Sequence, residues 1–321
     1  MKTQIGKDLS EAIRLLKLGE LVSIPTETVY GLAGNGLNPL AVAKIYDAKK
    51  RPSFNPLILH FSNFKRIQSI LKTTPPYLKD LVERFSPGPL TYIVEKSNEI
   101  PDITTSGLRS FAFRIPNHPL TLELLRAIDF PLAAPSANLF GMTSPTNSTH
   151  VFDQLKDRIP YILDGGSCKL GVESTILDCT GDKPVIRRFG STTKEDLETW
   201  FGYNLAIEVN GPKALSPGML SAHYSPGIPI ELFSEQEWHN FLPDEDCAFL
   251  SLFKIHPKQM NHPYIQLSLN GDLNEAATNL FESLRYLGKS NCKRIIAHRM
   301  PEEGLGLAIN DRLQRAAATR F

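Results

Sequence analysis

The chain has 321 residues, 41% of them hydrophobic, with 35 basic and 34 acidic side chains. That length corresponds to about two ordinary domains and the apolar content is that of a globular protein, so a single small module and a disordered tail protein are both excluded. The formal net charge is +1, with 24 basic and 22 acidic residues up to position 210 and 11 and 12 beyond it. No chain-wide field exists for holding nucleic acid or an anionic membrane, and any anion site must be a local cluster.

Lys2, Lys7, Asp8, Glu11 and Arg14 interrupt the start of the chain too often for a signal-peptide core, and nowhere do about 18 apolar residues run unbroken. The expectation is a cytoplasmic protein with no membrane span. Cys168, Cys179, Cys247 and Cys292 form no Cys-x-x-Cys pair, which favours scattered buried thiols over a zinc knuckle or a disulfide framework.

In chain order, Leu9, Ala12, Ile13, Leu15 and Leu16 predict a helix over 8–19, stopped by Gly19, and 21–25 reads as a short buried strand. A second helix is predicted over 39–49, capped by Asn38, followed by a strand at 56–60. Strands at 90–95, 111–114, 132–134, 161–164, 174–178 and 185–188 alternate with helices at 76–85, 119–128 and 150–155. Such alternation predicts a mixed α/β sheet for residues 1–202. Gly, Pro and Ser then punctuate 203–227, which reads as a linker. From 228 to 321 the pattern resumes as strand (228–233), helix (235–241), strand (247–252), helix (273–287), strand (294–297) and helix (306–317), a smaller three-strand α/β unit.

Polar residues crowd the ends of these segments. Thr26, Glu27, Thr28 and Tyr30 share a turn closed by Gly31 directly after a strand, where open α/β sheets place ligands, although a self-satisfied turn explains the segment alone. Lys49, Lys50 and Arg51 end a helix, where cations offset the dipole but are also placed to hold polyphosphate. Arg114 ends an apolar strand and requires an anionic partner, either a carboxylate ligand or a structural acid. Ser136-x-Asn138 supplies two small hydrogen-bonding groups suited to ribose, base or phosphate. Ser144, the Gly171-Val172-Glu173-Ser174-Thr175 run and Arg187-Arg188 continue the series. There is no Gly-x-Gly-x-x-Gly fingerprint, Walker loop, Gly-x-Ser-x-Gly elbow or His-Glu-x-x-His, so no resident metal is expected. The residues themselves define an α/β protein with an anion-binding face.

Taken in order, these segments, with 55–60, 216–226 and the terminal Gly304-Leu305-Gly306-Leu307-Ala308-Ile309-Asn310-Asp311-Arg312, resemble the YrdC-type threonylcarbamoyl-AMP synthases in their long form. The resemblance implies a twisted mixed open sheet joined by the linker to a small Rossmann-like domain. It implies formation of threonylcarbamoyl-AMP and pyrophosphate from L-threonine, bicarbonate and ATP, the product serving threonylcarbamoyladenosine modification of tRNA through separate transfer proteins. By family position Thr28, His60, Arg114 and Ser174 hold threonine, while Lys49, Arg51, Asn55, Ser110, Ser136, Asn138, Ser144 and Arg188 hold ATP. Lys49, Arg51, Ser136 and Asn138 form the catalytic tetrad, magnesium arrives with ATP, and His223 or Tyr224 folds over the nucleotide as a lid. The sequence also bears on two other readings. Carbamoyl-adenylate formation, as in hydrogenase-maturation proteins, lacks its acylphosphatase and Cys-rich neighbours here. Binding of double-stranded RNA on a basic concave face ranks as a secondary property, because residues 1–210 carry a net charge of only +2.

Overall fold

The structure is a computed structural model, and it describes residues 2–209, 222–242, 244, 246–252 and 262–319. The first domain runs β1 (Gln4–Gly6), α1 (Leu9–Lys17), β2 (Val22–Ile24), β3 (Gly31–Asn35), α2 (Pro39–Lys49), β4 (Ile58–His60), α3 (Lys65–Gln68), α4 (Leu78–Phe85) and β5 (Leu90–Glu95). It continues with α5 (Asp102–Thr105), β6 (Ser110–Arg114), α6 (Pro119–Ala127), β7 (Leu132–Ala133), α7 (Ser148–Leu155), β8 (Tyr161–Leu163), β9 (Thr175–Asp178), β10 (Val185–Arg188), α8 (Lys194–Phe201) and β11 (Ala206–Ile207). Its strands form one mixed sheet in the order β1-β8-β2-β3-β7-β4-β6-β5-β9-β10-β11. The sheet therefore takes in Ala206 and Ile207 from the segment expected to be linker.

The second domain comprises β12 (Ile230–Phe233), α9 (Glu235–Asn240), β13 (Cys247–Ser251), β14 (Tyr264–Gln266), α10 (Leu273–Gly288), β15 (Arg294–His298) and α11 (Leu305–Ala317). Its sheet is parallel, ordered β12-β15-β13-β14, and so has four strands where three were predicted. β14 escapes sequence reading because it is three residues long, too short to show a period. β3 escapes for another reason: it is Gly-Leu-Ala-Gly-Asn, and glycine is depleted in strands.

Local chemistry explains the elements that position the site. α2 begins where Asn38 accepts from the Leu40 and Ala41 amides with Pro39 in the first turn, and it ends at Lys50 in the left-handed conformation, φ 51°. That turn leaves Lys50 exposed and buries both Lys49 and Arg51. In the central strands the period of two separates the faces. Leu57, Leu59, Tyr92, Val94, Phe111, Phe113 and Leu177 pack into the main core, whereas Ile58, Ile93, Ala112 and Ile176 form a small apolar floor on the other side. His60 and Arg114, two residues beyond Ile58 and Ala112, share that second face and stand side by side in the parallel β4–β6 register.

α11 and α10 press the second domain against this face. Gly171, at φ +74°, approaches Ala277 and Thr278 so closely that a Cβ would meet backbone, Thr278 Oγ1 donates to the Lys169 carbonyl, and Arg285 donates to that of Thr143. Among the described residues no helix is long and apolar enough to cross a membrane, and all four cysteines are buried thiols without a disulfide.

Candidate active site

A cavity lies over the second sheet face, lined by Thr26, Thr28, Arg51, His60, Arg114, Ser136, Glu173, Ser174, Arg188, His223 and Tyr224 together with apolar residues of the strands. Nine of these were proposed from sequence: Thr28, Arg51, His60, Arg114, Ser136, Ser174, Arg188, His223 and Tyr224. Residues from seven strands or turns of the first domain and from the segment ahead of β12 thus meet at one place.

Arg114 is the most constrained. Its Nε donates to the Gly88 carbonyl at 3.1 Å and its Nη1 to Thr28 Oγ1 at 2.9 Å, and Thr28 Oγ1 lies 2.9 Å from Thr26 Oγ1. Glu27 Oε1 sits 2.7 Å from Nη2, an ion pair whose angles do not make a hydrogen bond. The structural acid that a buried arginine requires is therefore Glu27, from the same turn as Thr28. Three of the five guanidinium N–H groups make no hydrogen bond among the described residues and remain for a further acceptor.

On the opposite wall Arg188 donates through Nε and Nη2 to the Ser174 carbonyl, and through Nη2 also to Ser174 Oγ at 3.1 Å. Ser174 Oγ in turn lies 2.7 Å from Thr91 Oγ1. Arg51 donates to the Asn55 and Pro56 carbonyls. Burial draws both Arg51 and Arg188 down to about 10, which leaves them cationic at neutral pH.

Five proposed residues do not line the cavity. Lys49 is fully buried and its Nζ donates to the Ser136 and Asn138 carbonyls, at 2.5 and 2.6 Å, so it pins the Ser136–Asn138 turn and does not face the open space. Asn138 uses its amide nitrogen on the Leu139 and Met142 carbonyls while its Oδ1 is buried without a partner. Both side-chain atoms of Asn55 are likewise buried and unpartnered, an unspent capacity that calls for an explanation beyond packing. Ser144 Oγ is occupied by Glu173 at 2.5 Å. Ser110 stands apart: it begins β6 opposite Glu95, roughly 13 Å along the strand from Arg114.

Sequence reading passed over Glu27 and Glu173 as site groups. Glu173 is 7% exposed, accepts from Ser144, and is paired with Arg312 at 2.9 Å. Burial alone would raise its pKa, but Arg312 and then Arg188 outweigh burial and hold it below the usual carboxylate value.

His60 and His223 are both neutral. Burial pulls each down to about 3, assisted at His60 by Arg114 and at His223 by Arg51 and Lys49, against a raising influence of Glu173 on His223. The unfolded chain, with histidines near 6.5, binds more protons than the folded one in this window, so their contribution is complete above pH 6.5 and is lost as pH falls toward 3. The expected slope is up to about 2.8 kcal/mol per pH unit for the pair. Urea midpoints at pH 7.5 and 5.5 should show it, and His60→Asn should flatten it by about half; an equal slope in the variant would remove His60 as its source.

A sheet with this cavity and a docked parallel domain defines a two-part α/β protein with one cavity walled by three arginines. Two family models match it: telomere recombination (Sua5, YciO and YrdC) over residues 14–190, and the threonylcarbamoyl-AMP synthase C-terminal domain over 192–318. The chain belongs to the threonylcarbamoyl-AMP synthase family of enzymes. It is 38% identical to the threonylcarbamoyl-AMP synthase of Bacillus subtilis, over 97% of this chain and 93% of that one. The Pyrococcus abyssi enzyme of the same name is 35% identical over 97% and 94%. The crystal structure of P. abyssi Sua5 complexed with L-threonine superposes with a TM-score of 0.90 at 32% identity, covering 98% of this chain and 97% of that one.

Proposed function

We propose that this chain is a nucleotidyltransferase that joins L-threonine, bicarbonate and ATP into threonylcarbamoyl-AMP and pyrophosphate for tRNA modification. The observation that supports this reading is that Thr28, His60, Arg114 and Ser174, read as the amino-acid subsite, and Arg51 and Arg188, read as the polyphosphate subsite, line one cavity. Bicarbonate takes up a proton and loses water to give carbon dioxide, and the threonine amine adds to it and releases a proton to form a carbamate. One carbamate oxygen attacks the α-phosphorus, and the bond from that phosphorus to the β-phosphate bridging oxygen breaks to release pyrophosphate. Positioning and charge neutralisation supply most of such a rate enhancement.

The residues divide that work. Arg114 offers its remaining N–H groups to the threonine carboxylate, Thr28 and Ser174 fix the polar side, and His60, held neutral, orients the substrate and does not take protons. Arg51 and Arg188 meet the phosphates, and magnesium enters as the counter-ion of ATP. Asn55 and Asn138 Oδ1 hold hydrogen-bonding capacity for the nucleotide. Ser110, at the start of β6, is read as a contact of the outer part of the nucleotide. The site of action in this reading is the cytoplasm, with transfer to tRNA done by other proteins.

The lid reading concerns residues 216–226, of which 216–221 lie outside the described residues. His223 and Tyr224 are 5% and 1% exposed, and with them in place the cavity holds about 50 Å³. That is room for a few waters or a small amino acid, not for a nucleoside triphosphate. Tyr224 adopts φ 67°, a left-handed conformation costly for a tyrosine, and its ring stacks on Phe281. Admission of ATP therefore displaces this segment, which then recloses on the nucleotide and excludes water from the mixed anhydride. Tyr224→Ala is expected to raise the KM for ATP about tenfold and to lower product formed per pyrophosphate released; unchanged values would remove the lid. The reaction itself is tested by following pyrophosphate and nucleotide product by mass with and without threonine and bicarbonate. Threonine- and bicarbonate-dependent product supports the reading, and pyrophosphate release indifferent to both overturns it.

A further inference from the structure

Arg312 lies on α11 of the second domain, outside the cavity lining, and is 0% exposed. An arginine so placed is expensive unless its donors are used, and three partners of Arg312 belong to the site. Its Nε donates to Glu173 Oε2 at 2.9 Å, its Nη1 donates to the Phe189 carbonyl at 2.7 Å, directly after Arg188, and its guanidinium carbon stands 5.5 Å from the Tyr224 ring centroid. Asp311 Oδ2 accepts the other Nη1 proton at 2.8 Å. The neighbouring Arg315 holds the same segment from both sides: its Nη2 donates to the Val209 carbonyl and its own carbonyl accepts from the His223 amide.

The electrostatic consequence follows from Glu173. Among the described residues it is the one carboxylate lining a cavity whose other charged walls are Arg51, Arg188 and Arg114. Unpaired, a buried carboxylate there would repel each phosphate the arginines attract; paired with Arg312 from behind, it leaves the cavity wall net cationic. Ser144, the second partner of Glu173, is neutral and leaves that charge in place.

We propose that Arg312 is a positioning residue of the synthase site: from the second domain it neutralises Glu173 and seats Tyr224, so that the polyphosphate subsite carries its full positive charge only when the two domains are docked. This rests on the assignment of the cavity to ATP. It gives the second domain a part in the reaction, although its sequence shows only a core-forming pattern.

The test is a charge cycle in the full-length chain. Arg312→Met is expected to raise the KM for ATP tenfold or more with the KM for threonine within twofold of the parent. Arg312→Met combined with Glu173→Gln removes both charges and is expected to recover the KM for ATP to within about threefold. Arg312→Lys, which keeps the charge and loses the fork, is expected to fall between. A purely structural role predicts the contrary, KM values for ATP and for threonine that rise together in Arg312→Met and fall back together in the double variant, and that result overturns the proposal, as does an unchanged KM for ATP in Arg312→Met. If Arg312→Met fails to fold, the folded Arg312→Lys and double variants decide by the same comparison. If the parent itself shows no ATP-dependent pyrophosphate release, the assignment of the cavity has failed instead.

Discussion

Arg114→Lys is expected to raise the KM for L-threonine by 10- to 100-fold while the KM for ATP stays within about threefold. Lysine keeps a positive charge opposite Glu27 but loses the planar fork that serves the Gly88 carbonyl and Thr28 and, in the proposed reading, the threonine carboxylate. A charged hydrogen bond contributes about 1.5–3 kcal/mol, and at about 1.4 kcal/mol per decade that gives the stated range. Arg114→Met should behave differently. It leaves Glu27 buried and uncompensated, and breaking a buried pair from one side costs roughly 3–5 kcal/mol of stability. Glu27→Gln with Arg114→Met should recover most of that stability and none of the threonine binding. Urea unfolding read beside threonine titration by calorimetry separates the two. Recovery of threonine affinity in the double variant would mean that Arg114 serves the fold alone.

Arg114 also shows what a sequence makes legible. In Phe111-Ala112-Phe113-Arg114 the alternation sends both phenylalanines into the core and Ala112 and Arg114 to the other face, so the strand and its ligand-facing side are both readable. Lys49-x-Arg51 is readable as a pair because the helix ends between them, and the strand and helix that flank it were bounded to within two residues. What the cations touch was not readable. The partners of Lys49 are carbonyls 87 and 89 residues away, and Glu173 and Arg312 are 139 residues apart on different domains. No local period carries a contact of that separation. Ser110 differs in kind: its part comes from a family position alone, and it begins β6 at the end away from Arg114.

Lys49→Met is the second large effect, and here two costs oppose. Losing the ammonium strands the Ser136 and Asn138 carbonyls, about 1–3 kcal/mol each if they stay buried. It also relieves a charge held in apolar surroundings: burial first, then Arg51, lowers the Lys49 pKa well below the ordinary lysine value. A depressed lysine pKa means the unfolded state binds more protons, so at neutral pH the charge of Lys49 weighs against folding and its removal returns part of the loss. Stability should therefore change by no more than about 2 kcal/mol. Activity should nevertheless fall 100-fold or more, because the turn carrying Ser136 and Asn138 loses its anchor. The lowered pKa adds a second readout. A bound triphosphate favours the protonated form, so ATP binding at alkaline pH should take up protons, measurable by calorimetry in buffers of different ionisation enthalpy. Lys49→Arg and Lys49→Met should both abolish the uptake. Uptake that survives both substitutions would place the titrating group elsewhere and leave Lys49 as an anchor of the turn alone.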